Sequence, residues 1–280
     1  MPVIDSHHHF WHYTDADYGW IPPEWSIIKR DFLPADLQSE IAAAGVDGVI
    51  SVQARQSLVE TDWLLDFAAR HAFIRGVVGW VPLIDPAVET HLDRFASAPK
   101  LRSLRHVLQG EPDDGYMLRA DFNRGISALT RRGLTYDILI LERHLPATIT
   151  FVDRHPDQVF VLDHIAKPRI GAGELEPWAK NIRELARRPN VACKLSGMVT
   201  EADVATWTPA QLQPYFDVVI ESFGPRRLLF GTDWPVCLAG VSYSRWKNIV
   251  ADALRVFSPS EQAAIFGDNA RRLYRLPDAS

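Results

Sequence analysis

Residues 2–10 read PVIDSHHHF. An apolar start runs into three consecutive histidines, and if the segment is a strand, His7 and His9 point one way and His8 the other. Whether that face is a barrel interior depends on how many similar strands follow. Seven do: GVISVQA from Gly48, GVVGWVP from Gly76, LRSLRHV from Leu101, LTYDILI from Leu134, QVFVLDH from Gln158, NVACKLS from Asn190 and RLLFGTD from Arg227. All are rich in Val, Ile and Leu, as parallel strands buried on both faces are. Amphipathic segments separate them. PADLQSEIAAAG stops at Gly45, and DFNRGISALTRRG stacks Phe122, Ile126 and Leu129 on one face before Gly133. EPWAKNIRELARRP begins with an acid and ends with arginines, matching the helix dipole, and SRWKNIVADALRVF and SPSEQAAIFGDNARRLYRL close the chain. Eight alternations predict an α/β fold, a (β/α)8 TIM barrel, as one domain over residues 1–280. The rival, a doubly wound open sheet, would place G-x-G-x-x-G after the first strand, and none is there.

The composition narrows the function. A formal charge of −5 without a basic block excludes a nucleic-acid partner. Two cysteines, Cys193 and Cys237, stand in no metal-like spacing and fit a reduced, cytoplasmic setting. Neither a signal peptide nor an apolar stretch of membrane-spanning length is expected, so no membrane partner is. Residues 10–36 break the alternation. They hold Trp11, Tyr13, Tyr18, Trp20 and Trp25, and are expected to cap a site, to form an interface or to seal the barrel rim.

Barrel enzymes keep their chemistry at the C-terminal ends of the strands. His7 and His9 enter that mouth together, and two imidazoles on one face can hold a metal or polarise a substrate oxygen. His8 faces the helical layer. In VFVLDH, alternation admits only one of Asp163 and His164; with Phe160 and Leu162 on its face, His164 is the inward candidate and Asp163 a strand-end partner. RLLFGTD ends with Asp233, preceded on its face by Gly231, small enough for a crowded barrel centre. Lys194, central in an apolar strand, is costly to bury unless paired. Arg105 and His106 are neighbours, and either can face inward.

VIDSHHHFW, GVVGWV, LRHVLQ, LDHIAKP, CKLSGM, LLFGTDWPV and IFGDNARRLY together resemble the amidohydrolase superfamily, more narrowly its "amidohydrolase 2" branch, which contains sugar lactonases and the pyrone dicarboxylate lactonase. The resemblance runs from Ile4 to Tyr274. It implies a hydrolase that opens an L-fucono- or L-rhamnonolactone-like sugar lactone to the aldonic acid, with a small-molecule substrate and a place in carbohydrate metabolism. Carried over by position, the H-x-H is His7 and His9, the later barrel histidine is His164 and the eighth-strand acid is Asp233. The fourth strand offers no lysine for carboxylation, and a further barrel histidine is missing unless His106 substitutes. The resemblance therefore implies at most one divalent ion, zinc being the first candidate, on His7, His9 and Asp233 with His164 nearby; a metal-free mechanism stays open.

Lactone hydrolysis needs a positioned water, a base, and positive or hydrogen-bonding groups where the carbonyl oxygen gains charge. Asp233 is the expected base. His7, His9 and His164 would stabilise the oxyanion, and Lys194, Arg105 or His106 would contact the carbonyl or the sugar hydroxyls. Trp80 and Trp234 are expected as a sugar platform, while Gln53 and Tyr136 read equally well as rim packing. Lys167-Pro168 is read as loop closure, and His71, His91, His144, His155, Trp207 and Trp246 as packing. A metal-dependent decarboxylase of a small carboxylic acid is the alternative enzyme, a silent binding barrel the non-enzymatic one. A homo-oligomer is compatible with the sequence.

Overall fold

The structure, a computed structural model, describes residues 2–277. Its eight strands are β1 (Ile4–His8), β2 (Gly48–Val52), β3 (Ile74–Gly79), β4 (Leu101–Val107), β5 (Thr135–Leu139), β6 (Phe160–Leu162), β7 (Val191–Leu195) and β8 (Leu228–Phe230). Each pairs in parallel with the next. Beyond β8 the chain returns to β1 and closes the ring: the Asp233 N–H donates to the His7 carbonyl at 2.8 Å, and the His9 N–H to that of Trp234 at 2.7 Å. One α-helix follows each strand: α1 (Pro34–Ala44), α2 (Leu58–Arg70), α3 (Val88–Arg94), α4 (Ala120–Arg132), α5 (Leu145–Asp153), α6 (Trp178–Leu185), α7 (Pro209–Phe223) and α8 (Tyr243–Ala253). The fold is the (β/α)8 barrel the alternation predicts. α1 and α4 end at left-handed Gly45 and Gly133, as those glycines announce. The C-terminal segment folds as α9 (Pro259–Ala263), a π-helical turn and α10 (Asn269–Leu273). Among the described residues no helix is long and apolar enough to cross a membrane.

The lower barrel interior is apolar. Ile4, Ile50, Val52, Val78, Val161, Ala192 and Leu229 meet there, plugged from below by Tyr274 and Leu276. Above them lies a buried polar layer that includes Asp137 from β5, Lys194 from β7 and Asp163 just beyond β6.

β1 departs from strict alternation in a way that serves the site. Ile4 joins the interior cluster and His7 also faces inward, with two residues between them. The pairing with β2 slips at this point, from Asp5 opposite Val49 to His8 opposite Ser51. Such a bulge re-aims the side chains beyond it. It also sends Asp5 outward to α8 and the β8 end. There the buried carboxylate accepts the N–H groups of His7 and Thr232, each at 3.0 Å. It accepts hydroxyls as well, from Thr232 at 2.6 Å and Tyr243 at 2.9 Å. Asp5 thus clamps the seam where the barrel closes. Asp5→Ala leaves four donors without an acceptor and is expected to cost about 3 kcal/mol or more. Chemical denaturation checks this, and a loss below about 1 kcal/mol would remove the clamp from the account.

Candidate active site

Three imidazoles converge at the C-terminal mouth on one carboxylate oxygen. Asp233 Oδ1 lies 3.3 Å from His9 Nε2, 3.6 Å from His7 Nε2 and 3.9 Å from His164 Nε2. His7 Nε2 and His9 Nε2 are 3.3 Å apart. Donors bound tetrahedrally to one ion at about 2.0–2.1 Å stand about 3.3–3.4 Å from each other, so this spacing fits a single small divalent cation. The donor atoms of His7, His164 and Asp233 also lie within 4.8 Å of one another, a metal-compatible trio. That trio takes in His164, which the sequence expectation placed only nearby, and leaves out His9, whose Nε2 is nonetheless 3.3 Å from both His7 Nε2 and Asp233 Oδ1.

The surroundings fix how the His9 ring presents itself. His9 Nδ1 is 2.8 Å from the Val52 carbonyl, which cannot donate, so Nδ1 carries the proton and the Nε2 lone pair faces the site. His164 Nδ1 meets the Ser196 hydroxyl at 2.9 Å. His7 Nδ1 faces Lys194 Nζ at 3.1 Å and Asp163 Oδ1 at 3.4 Å. Burial pushes the imidazole of His164 down to about 4 and that of His7 well below its ordinary value, so both are neutral at pH 7 and available as ligands. Burial alone would raise the Asp233 carboxyl, but His164, His9 and His7 hold it well below the usual range.

Backbone geometry delivers these groups. β6 ends at Leu162, and His164 reaches the site on a left-handed turn with φ 52°, not by strand alternation. The alternation itself runs opposite to the sequence expectation. Val161 and Asp163 face inward, while Phe160 and Leu162 pack toward the helices. Asp163 is buried at the barrel centre, 3.0 Å from both Lys194 Nζ and Arg105 Nη1. Asp233 is also left-handed, at φ 60°. Two glycines make room: a Cβ on Gly231 would lie 2.9 Å from the His7 Cβ, and one on Gly197 would lie 2.4 Å from His164 Nδ1.

Other expectations need correction. Lys194 does not line the cavity. It lies beneath His7, fully buried between Asp137 at 2.5 Å and Asp163 at 3.0 Å, so its charge serves the network below the site. Of the neighbouring pair, Arg105 faces inward and lines the cavity. His106 turns to the helical layer, stacked on Tyr116 and 2.6 Å from Glu111, and replaces no barrel histidine. Trp80 donates to His106 at 3.4 Å, and Trp234 packs against Phe10 and Phe32; neither lines the cavity. Gln53 holds Arg105, and Tyr136 is buried, so packing is their place. His8 faces outward as expected, bonded through Nε2 to the Ser51 hydroxyl at 2.9 Å.

The cavity above the four donors has a volume of about 520 Å³. Trp20, Pro22 and Trp25 from the long first loop form one wall, while Trp11, Tyr18 and Phe32 of the same loop are buried as a small aromatic core. The loop therefore both caps and seals. Gln109, Lys167 and Glu201 also line it; Lys167 is read from sequence as loop closure, and no motif singles out the other two.

A family model described as amidohydrolase matches residues 4–276. The chain belongs to the amidohydrolase family. As an amidohydrolase it is a hydrolase, the class its relatives share. This amidohydrolase is 40% identical to the L-fucono-1,5-lactonase of Burkholderia multivorans, an alignment covering 98% of this chain and 96% of that one. It is 38% identical to the L-fucono-1,5-lactonase of Burkholderia ambifaria, over 98% of this chain and 95% of the other. A zinc-bound crystal structure of an amidohydrolase from Burkholderia multivorans superposes with a TM-score of 0.95 at 39% identity, covering 99% of this chain and all of that one.

Proposed function

We propose that this amidohydrolase opens a neutral sugar-acid lactone, L-fucono-1,5-lactone or one closely similar, with one divalent ion, zinc first, on His7, His9, His164 and Asp233. The observation that carries the reading is the convergence of three imidazole Nε2 atoms on the Asp233 carboxylate under a cavity whose cations are already matched. Arg105 is 3.0 Å from Asp163 and Lys167 is 3.6 Å from Glu201. Among the described residues lining the cavity, no Arg or Lys lacks an acidic partner. A neutral lactone suits such a site better than the carboxylate substrate of a decarboxylase. The lactonase relatives and the zinc-bound structure support the same choice.

When bound, a divalent ion supplies acidified water and positive charge beside an ester carbonyl. Asp233 orients the attacking water and takes its proton. Water oxygen bonds to the lactone carbonyl carbon, the bond from that carbon to the ring oxygen breaks, and the proton on Asp233 passes to the leaving oxygen. Arg105, rigidly held by Asp163 and Gln53, presents its guanidinium to the cavity where the carbonyl oxygen gains charge. The new carboxylic acid ionises and releases a proton to solvent. The flat faces of Trp20 and Trp25 suit the C–H face of a sugar ring.

Carbon NMR of L-fucono-1,5-lactone with the enzyme is expected to show the open-chain acid with every carbon retained; an unchanged lactone signal beyond the spontaneous rate would refute the reading. Elemental analysis is expected to find one divalent ion per chain, because the donors surround one position. Two tightly held equivalents would contradict that count.

A further inference from the structure

After β6 four consecutive residues adopt left-handed backbone: His164 at φ 52°, Ile165 at 50°, Ala166 at 62° and Lys167 at 47°. None is glycine, and Ile165 is β-branched, so the run is costly and persists only because its surroundings impose it. Its first residue serves the donor cluster. Its last, Lys167, is brought to the cavity wall beside Glu201 from the loop after β7. Nζ and Oε1 stand 3.6 Å apart, with the two side chains 19% and 21% exposed. That separation exceeds a normal hydrogen bond, so most of the bonding capacity of both groups stays open: three donors on the ammonium, about four lone-pair sites on the carboxylate. Nearby in the same lining, the Gln109 side-chain oxygen is buried without a partner.

We propose that Lys167 and Glu201 are the specificity-determining pair that reads the hydroxyl groups of the substrate ring. A hydroxyl both accepts and donates, so one placed between the two accepts from the Lys167 ammonium and donates to the Glu201 carboxylate. The pair is neutral as a whole and therefore favours an uncharged polyol over an anion. Burial pushes the Glu201 carboxyl up while Lys167 opposes the rise, which marks the carboxylate as poorly hydrated and in need of such a partner. A site built to bond a substrate hydroxyl discriminates strongly against an analogue without it, because its own polar groups are then left unpaired.

The inference rests on the lactonase reading, and one experiment separates the two. The ratio of kcat/KM for L-fucono-1,5-lactone to that for δ-valerolactone, which has the same ring without hydroxyls, is measured on zinc-loaded wild type, Lys167→Met and Glu201→Gln. Circular dichroism checks that each variant is folded, and Lys167→Arg serves as the conservative variant. The ratio is expected to fall at least about 10-fold in Lys167→Met and Glu201→Gln, carried mainly by KM for the sugar lactone, with partial recovery in Lys167→Arg. A ratio that stays at the wild-type value in both variants, whatever the absolute rates, would overturn the assignment. A wild type that opens neither lactone would instead overturn the lactonase reading, and this assignment with it.

Discussion

Asp233→Asn is expected to leave the barrel folded and to lower kcat for lactone opening by about 10²–10⁴-fold. The substitution is nearly isosteric, so the hydrogen bond from the residue 233 N–H to the His7 carbonyl and the closure of the ring survive. What disappears is the carboxylate on which the Nε2 atoms of His7, His9 and His164 converge. An amide cannot take the proton of the attacking water and is a poor ligand. His8→Gln is the matched control. His8 lies between two members of the site, yet its side chain faces Ser51 and Phe10 on the outer layer. Its loss should be read in thermal melting, with turnover within a few-fold of wild type. Steady-state kinetics on both variants decides the matter: near-normal turnover in Asp233→Asn removes the acid from the mechanism, and a His8→Gln loss as deep as that of His9→Gln reverses the facing of β1.

Lys194→Met is expected to cost about 3–5 kcal/mol of folding free energy, because it removes the cation between Asp137 and Asp163 and leaves two carboxylates buried. Burial, against the pull of Lys194, already raises the Asp137 carboxyl. Asp163 is held well below the ordinary range: burial would raise it, but Lys194, His7 and Arg105 more than offset that. Without Lys194 both carboxyls should move up in the folded state. The unfolded chain releases these protons near its ordinary carboxylate pKa, so above that pH the folded variant binds more protons and loses stability as pH rises. The deficit relative to wild type should therefore be larger at pH 8 than at pH 5. Urea denaturation at the two pH values measures it. A deficit that shrinks toward pH 8 would mean that Lys194 does not neutralise this pair.

The fold was legible because its evidence is local and repeated. Each apolar run with its following amphipathic segment carries the signal of one strand and helix, and Gly45 and Gly133 mark stops that depend only on their own backbone. His7, His9 and Gly231 were legible for the same reason, since alternation over two or three residues survives a bulge earlier in the strand. What could not be read was non-local or left-handed. Nothing in LDHIAKP announces four positive φ angles, because no glycine marks them, so alternation places His164 correctly but by the wrong geometry, and Lys167 reads only as loop closure. Lys194 did signal a buried pair, but its partners Asp137 and Asp163 lie on other strands, and only closing the barrel brings them together. Arg105 and His106 differ by a single position, and β4 carries its own register shift against β3, so counting along the strand cannot choose between them. Trp80 and Trp234 stand at strand ends as expected of a platform, yet the cavity wall comes from Trp20 and Trp25 in a loop without periodicity.

Whether the four groups at the barrel mouth hydrolyse a sugar lactone is decided by titrating acid release from L-fucono-1,5-lactone at constant pH with the zinc-loaded protein. Saturable proton release is expected, one per lactone consumed, with kcat/KM of about 10⁴ M⁻¹s⁻¹ or more. Acid release at the buffer rate from folded, zinc-loaded protein would contradict the lactonase reading.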